Sequence, residues 1–96
     1  MKINEVLQIK KQEILRLAKE YGVIRIRTFG SVARGEATGK SDIDFLIQLE
    51  EGRSLLDLIG FKQDVEKLVG RKVDVVSEGG VSPYLRERIF EEAVPL

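Results

Sequence analysis

Apolar residues recur at helical spacing over the first part of the chain, and charged residues fill most positions between them. The apolar stripe consists of Ile3, Val6, Leu7, Ile14, Leu17, Ala18 and Tyr21. This spacing places the apolar side chains on one face, which predicts an amphipathic helix over residues 3–21. We expect Asn4 to cap the start of this helix and Gly22 to end it.

Strand-like and helix-like patterns alternate along the rest of the chain. The predicted strands are 23–29, 43–49 and 72–77, and the further helical segments are 32–34, 55–69 and 83–93. The second strand is the most apolar, as is typical of a central strand covered on both faces. For the long helix we expect Ser54 as N-cap, Gly70 as its end, and a buried stripe of Leu55, Leu58, Ile59, Val65, Leu68 and Val69.

The lengths of the connections predict how the strands pair. The link between the first two strands is short for a parallel crossover, so these strands should be antiparallel. The long helix between the second and third strands allows a parallel crossover. We therefore predict an α/β (α+β) fold, in which helices pack on a small mixed sheet in the order α-β-(α)-β-α-β-α. A length of 96 residues suits a single domain spanning 1–96.

The amino-acid composition limits the kinds of binding and catalytic site that the chain can form. Hydrophobic residues make up 43% and charged residues 33%, which is typical of a globular chain. Lys plus Arg equal Asp plus Glu at 16 each, which argues against direct nucleic-acid binding through a broad basic face. The chain has neither cysteine nor histidine, so thiolate and imidazole metal sites and a histidine base are excluded. Catalysis would have to use carboxylates, Arg, Lys, hydroxyls, backbone N–H groups and a bound cation.

The N-terminal residues and the lengths of the apolar runs indicate where in the cell the protein is expected. The first eleven residues alternate charged and apolar positions and lack the apolar core of a signal peptide. None of the apolar runs approaches the length of a membrane span. We expect a cytoplasmic protein without membrane association.

Three aspartates are the strongest candidates for a metal site. Asp42 and Asp44 stand two apart at the start of a strand, so both side chains should point to the same face. Asp74 lies within the apolar third strand, where a carboxylate is costly unless it is paired or binds a metal. If the second and third strands are neighbours, the three acids converge and suit a two-metal site for phosphoryl or nucleotidyl transfer. The alternatives are solvated acids at a strand start, and an Asp74 that faces solvent or pairs with Arg71 or Lys72.

A glycine-rich turn comes between the first strand and the acids. Gly30 allows the backbone to approach a ligand closely, and Ser31 adds a hydroxyl, so this turn can cradle phosphate oxygens. An ordinary strand-ending glycine is the alternative. Arg34 can bind a triphosphate through its guanidinium or can pair with Glu36 on the surface, and the sequence favours neither.

Other charged residues are weaker candidates. Lys40 and Ser41 stand beside the acids and could orient the loop or a phosphate. Arg25 and Arg27 share one face of the first strand, where we expect solvated or partner-facing side chains rather than catalytic ones. The charge-rich segment 84–92 is expected to be a surface helix with ion pairs along it.

Taken together, these motifs resemble a known family. The motif GSVARG at 30–35, followed by SDID at 41–44, resembles the signature of the DNA polymerase β-like nucleotidyltransferase superfamily. Within it, the chain is similar to the minimal nucleotidyltransferases, including the MntA-type antitoxins. The resemblance covers nearly the whole chain, since residues 72–76 match the strand that carries the third carboxylate.

The resemblance implies a nucleotidyltransferase fold, a site and a reaction. Asp42, Asp44 and Asp74 would bind two Mg²⁺ ions, and Gly30 and Ser31 would hold the β- and γ-phosphates of ATP. The usual partner of such a protein is a HEPN-family toxin. The resemblance implies that AMP is transferred from ATP to a tyrosine hydroxyl of that toxin, which silences it.

Three functions are consistent with these sequence features. The first is nucleotidyl transfer to a partner protein, which the three acids and the absence of a second domain favour. The second is an antitoxin that neutralises its partner by binding and occlusion, without catalysis. The third is a nucleotidyltransferase that acts on a small molecule. In each case, clustering three acids without metal should raise the pKa of at least one of them.

Overall fold

A computed structural model describes residues 2–38 and 41–96 of the chain. The elements are α1 (Ile3–Glu20), β1 (Val23–Phe29), α2 (Gly30–Ala33), β2 (Ile43–Leu49), α3 (Leu55–Val69), β3 (Val73–Ser77), a 3₁₀ turn (Glu78–Gly80), α4 (Pro83–Glu92) and β4 (Val94–Pro95). The predicted bounds of β1, β2 and α3 are confirmed. The short helix α2 begins two residues earlier than the predicted turn at 32–34.

The strands form one mixed sheet in the order β3-β2-β1-β4. The pair β1–β2 is antiparallel, and β2–β3, which are joined through α3, is parallel, as predicted. The two-residue strand β4 was not predicted, because a pattern of two residues is too short to show a period. It pairs antiparallel with Arg27 and Thr28 of β1. The predicted last helix accordingly ends at Glu92, since Ala93 already has an extended backbone.

The helices α1 and α3 cover one face of the sheet. The buried side chains between these layers are Ile3, Leu7, Ile14 and Ala18 of α1, Phe61, Val65 and Val69 of α3, and Ile43, Phe45, Ile47 and Val73 of the strands. The apolar stripe predicted for α1 thus faces the core. In the described part of the chain, none of the helices is both long and apolar enough to cross a bilayer.

The stripe predicted for α3 is partly wrong. Leu55 and Ile59 are exposed, whereas Phe61 is fully buried. Residues two apart on a helix point to nearly opposite sides, so burying Phe61 turns Ile59 outward. Leu55 lies four residues before Ile59 and shares its side of the helix.

The helix ends show one success and one error of the cap predictions. The Ser54 hydroxyl accepts a hydrogen bond from Leu56 N at 3.2 Å, and the Asp57 carboxylate accepts one from Ser54 N at 3.0 Å. This capping box confirms the predicted start of α3. Asn4 is not the cap of α1, because the helix already begins at Ile3 and Lys2 occupies the cap position.

Candidate active site

The three aspartates lie at the end of the sheet where β2 begins. In the parallel pair, Asp44 is the register partner of Asp74, and in the antiparallel pair it lies opposite Phe29. Register partners project to the same face of a sheet. Their strand neighbours Ile43 and Phe45 are in the core, so the two carboxylates face away from α1 and α3. The sequence placed Asp74 beside the SDID acids on the condition that β2 and β3 are neighbours; they are, and Asp74 lies beside Asp44.

The carboxylates influence one another electrostatically. The pKa of Asp44 is raised from 3.8 to about 6, mainly by burial, and then by the negative charges of Asp74 and Asp42. Glu92 raises this pKa further, whereas the positive charge of Arg34 opposes the shift. The expectation that clustering would raise at least one pKa is confirmed. A charged Asp44 is therefore under electrostatic strain, which a bound cation would relieve.

This donor set is chemically suited to a hard divalent cation. Carboxylate oxygens are the ligands that Mg²⁺ prefers. A divalent cation would also neutralise the negative charges of Asp74 and Asp42, which repel the charged form of Asp44. Within residues 2–38 and 41–96, however, no three acidic side chains are gathered tightly enough to form a metal-binding group as they stand. One carboxylate is directed elsewhere, because Asp42 Oδ2 is 3.9 Å from Lys72 Nζ. The lysine that the sequence offered as a partner for Asp74 thus pairs with Asp42.

The turn after β1 lies against Asp44. Gly30 has φ +71°, a left-handed conformation that favours glycine. A Cβ at this position would also overlap the Asp44 carboxylate. Glycine therefore suits this position for two reasons, the backbone conformation and the close approach of the Asp44 carboxylate. The next residue, Ser31, lies in the first turn of α2, and its carbonyl accepts a hydrogen bond from Glu36 N at 2.9 Å.

Arg34 has two carboxylate partners. Its Nε donates to Glu36 Oε2 at 3.2 Å, and its Nη1 donates to Glu92 Oε1. These hydrogen bonds, first that of Glu36, raise the pKa of Arg34 above its usual value. The pair with Glu36 was one of the two alternatives for Arg34. The pair with Glu92 was not foreseen, because the two residues are 58 positions apart.

Arg27 is not the solvated or partner-facing strand residue that the sequence predicted. Arg25 is exposed, but Arg27 is only 9% exposed. Its Nη2 lies 3.3 Å from Glu78 Oε2, and its guanidinium is 5.1 Å from the centroid of the Phe90 ring. The 3₁₀ turn and α4 therefore cover this part of the sheet, which strand periodicity alone cannot reveal.

The loop before Asp42 is held by Ser41. The Ser41 hydroxyl accepts a hydrogen bond from Thr38 N at 2.8 Å, and Ser41 N donates to Thr38 O at 3.1 Å. This supports the loop-orienting role considered for Ser41. Lys40, considered for the same role, lies outside the described residues together with Gly39 and Met1.

Comparison with known sequences identifies relatives over nearly the whole chain. The family model described as the nucleotidyltransferase domain matches residues 9–96. A protein of Methanocaldococcus jannaschii, provisionally named a protein adenylyltransferase, is 43% identical over 94 residues, which cover 98% of this chain and 97% of the relative. The protein adenylyltransferase MntA of Thermococcus cleftensis is 36% identical over 92 residues, which cover 96% of this chain and 90% of the relative.

Solved structures share the fold. A structure provisionally described as a minimal nucleotidyltransferase is 49% identical, with a TM-score of 0.85, and covers 96% of this chain and 94% of its own. A toxin–antitoxin crystal structure with AMP-PNP has a TM-score of 0.75 at 20% identity, covering 88% and 70%, which shows a common fold. By its sequence and its fold, this chain is a nucleotidyltransferase and belongs to the minimal nucleotidyltransferase group of the nucleotidyltransferase domain family.

Proposed function

We propose that this chain is a cytoplasmic, Mg²⁺-dependent protein adenylyltransferase that transfers AMP from ATP to a tyrosine hydroxyl of a HEPN-family toxin, whose antitoxin it is. Two relatives at 43% and 36% identity carry the name protein adenylyltransferase, the second as MntA. A toxin–antitoxin structure that contains AMP-PNP has the same fold. The HEPN partner and the tyrosine acceptor rest on the resemblance of the GSVARG and SDID motifs to those of the MntA-type antitoxins.

One observation carries the catalytic part of this proposal. The Asp44 carboxylate lies against the backbone of Gly30 and in register with Asp74. The turn proposed for phosphate binding and the acids proposed for metal binding therefore meet at one end of the sheet. A nucleoside triphosphate held by that turn would present its reactive phosphate to the acids.

Each residue has a separate part in the proposed reaction. Asp42, Asp44 and Asp74 would hold two Mg²⁺ ions, and such ions would supply positive charge to the entering and leaving oxygens. The Gly30 backbone and the Ser31 hydroxyl bind the β- and γ-phosphates. The tyrosine oxygen forms a bond to the α-phosphorus, the bond to the bridging oxygen breaks, and pyrophosphate leaves. The hydroxyl proton is released to solvent.

Labelled ATP tests the proposal. The purified chain is mixed with a HEPN-family toxin encoded beside it, Mg²⁺, and ATP that carries the label on the α- or the γ-phosphate. We expect label on the toxin from the α-position alone, and its loss in Asp44→Asn. The matched control is Glu51→Gln, which removes a negative charge in the turn beyond the opposite end of β2 and should transfer label normally.

The other outcomes contradict the proposal in distinguishable ways. A tight complex without label on the toxin from either position would favour an antitoxin that acts by occlusion. Label transferred to a small molecule instead of the toxin would favour a small-molecule nucleotidyltransferase. Label from the γ-position would indicate phosphoryl transfer rather than nucleotidyl transfer.

A further inference from the structure

The last turn of α4 differs from the rest of that helix. None of the residues of α4, all of which the structure describes, is fully buried, and Tyr84 near its start is 96% exposed. At its end, however, the Glu92 side chain is only 17% exposed. The same carboxylate contributes to the raised pKa of Asp44, so it lies within electrostatic reach of the acids. A helix that the sequence assigned to the surface thus brings one carboxylate to the candidate site.

Glu92 holds a guanidinium that extends from the turn proposed for phosphate binding. Arg34 follows α2 directly, so its backbone is fixed next to Gly30 and Ser31. Its Nε is engaged by Glu36 and its Nη1 by Glu92. Glu36 is 65% exposed, so Glu92 is the better shielded of the two partners. An arginine has more N–H donors than these two contacts use, and the others stay available to an anion.

The turn of α4 that carries Glu92 is itself anchored to the sheet. Phe90 lies two residues earlier, and its ring is contacted by the guanidiniums of Arg27 and Arg86, at 5.1 and 4.6 Å from the ring centroid. Arg86 Nη1 also donates to the Glu78 carbonyl at 2.9 Å. Glu92 therefore approaches Arg34 from a fixed element rather than from a free chain end.

We infer that Glu92 is a positioning residue for triphosphate binding. Its carboxylate holds the Arg34 guanidinium in an orientation from which the remaining N–H groups of Arg34 donate to phosphate oxygens. This inference rests on the proposed role of Arg34 in nucleotide binding. A side chain already held in one orientation loses less conformational entropy when it binds a ligand. The helix α4 then belongs to the nucleotide site, although the family motifs at 30–35 and 41–44 do not include it.

A competing interpretation makes the opposite prediction. If Glu92 only occupied Arg34 until phosphate displaced it, removal of the carboxylate would free the arginine and tighten nucleotide binding. A positioning role predicts weaker binding instead. The sign of the change in affinity therefore separates the two.

The first measurement compares Glu92→Gln with wild type. We expect KM for Mg²⁺–ATP in toxin labelling, and Kd for Mg²⁺ with α,β-methylene-ATP by calorimetry, to rise about three- to tenfold, while kcat changes less than about twofold. Glu91→Gln, which removes the same charge from the neighbouring position of α4, should change neither constant. Glu36→Gln should have a smaller effect than Glu92→Gln, because Glu36 is the more exposed partner. Thermal melting of each variant checks that the fold is retained.

A double-mutant cycle tests whether the effect passes through Arg34. In an Arg34→Gln background, Glu92→Gln should no longer weaken analogue binding. Unchanged or tighter binding in the single Glu92→Gln variant, or an undiminished effect in that background, would overturn the inference. The analogue assay needs no acceptor, so the inference can hold even if the toxin is not labelled. Conversely, normal labelling with unchanged KM and Kd in Glu92→Gln would overturn the inference and leave the proposed function intact.

Discussion

At the start of β2, the two faces of the sheet carry different kinds of side chain. The face toward α1 and α3 buries apolar side chains, among them Ile43 and Phe45 of β2. The other face receives Asp44 from between these two residues, and the pKa of that carboxylate is raised to about 6. One strand therefore contributes to the stability of the protein on one face and carries electrostatic strain on the other. The first is called the core face and the second the acid face. The raised pKa of Asp44 indicates that its charged carboxylate opposes folding at neutral pH, whereas the apolar side chains of the core face favour it.

The largest effect on stability should come from the core face. Phe45→Ala removes a fully buried ring, and we expect it to lower the free energy of unfolding by about 3–5 kcal/mol. Denaturant unfolding followed by circular dichroism measures this loss. A loss below about 1 kcal/mol would show that the core face tolerates truncation and that the contrast between the faces is mistaken.

Arg27 tests whether the acid face also has a structural part. Its Nε and Nη2 are buried, and among the described residues they find no hydrogen-bond acceptor, although Glu78 lies 3.3 Å away as a charge partner. Arg27→Met should destabilise the protein by about 2–3 kcal/mol, because it leaves the Glu78 carboxylate without its counter-charge.

The double variant Arg27→Met/Glu78→Gln is the control for this prediction. It removes both charges, so its loss in free energy of unfolding should be smaller than that of Arg27→Met alone. An equal or larger loss would mean that packing of Arg27 over Phe90, rather than the charge pair, is what matters.

Substitution of Asp44 should change the free energy of unfolding in the opposite direction to substitution of Phe45. Because its pKa is about 6 in the folded protein against 3.8 for the ordinary group, the folded state binds more protons than the unfolded state between these pH values. The metal-free protein should therefore lose stability relative to Asp44→Asn as the pH rises from about 4 to 6. Above this window the substitution should stabilise by about 1–2 kcal/mol, once solvent screening is allowed for.

Chemical denaturation in EDTA at pH 4 and pH 7.5 measures this difference between wild type and Asp44→Asn. Melting with Mg²⁺–ATP provides the second half of the test, since wild type should be stabilised and the variant should not. A variant that is less stable than wild type at pH 7.5 without metal would assign Asp44 a structural role instead.

The smallest effect on stability should come from the exposed start of α3. Ser54→Ala removes the capping hydrogen bond to Leu56 and should lower stability by about 1 kcal/mol, without a change in KM for Mg²⁺–ATP. Thermal melting and the toxin-labelling assay measure the two quantities. A change in KM would show that the start of α3 is coupled to the acid face.

The sequence by itself determined the main helices and strands and identified the three acids. Period-two and helical patterns predicted β1, β2 and α3 at their observed bounds, because such patterns report the local alternation of buried and exposed positions. The alternation within SDID predicted that Asp42 and Asp44 would share one face, but Asp42 precedes β2 and its carboxylate pairs with Lys72. The link lengths predicted antiparallel pairing of β1 and β2 and allowed parallel pairing of β2 and β3. The observed parallel pairing brings Asp74 beside Asp44.

Only the tertiary structure decided which charged side chains meet across the fold. The burial of Arg27 depends on α4 and the turn at Glu78, and the partner of Arg34 on α4 is 58 positions away. Periodicity describes the faces of one element, whereas these contacts depend on how separate elements pack together. The sequence therefore revealed the acids of the candidate site, and packing revealed the carboxylate of Glu92 that orients the arginine beside them.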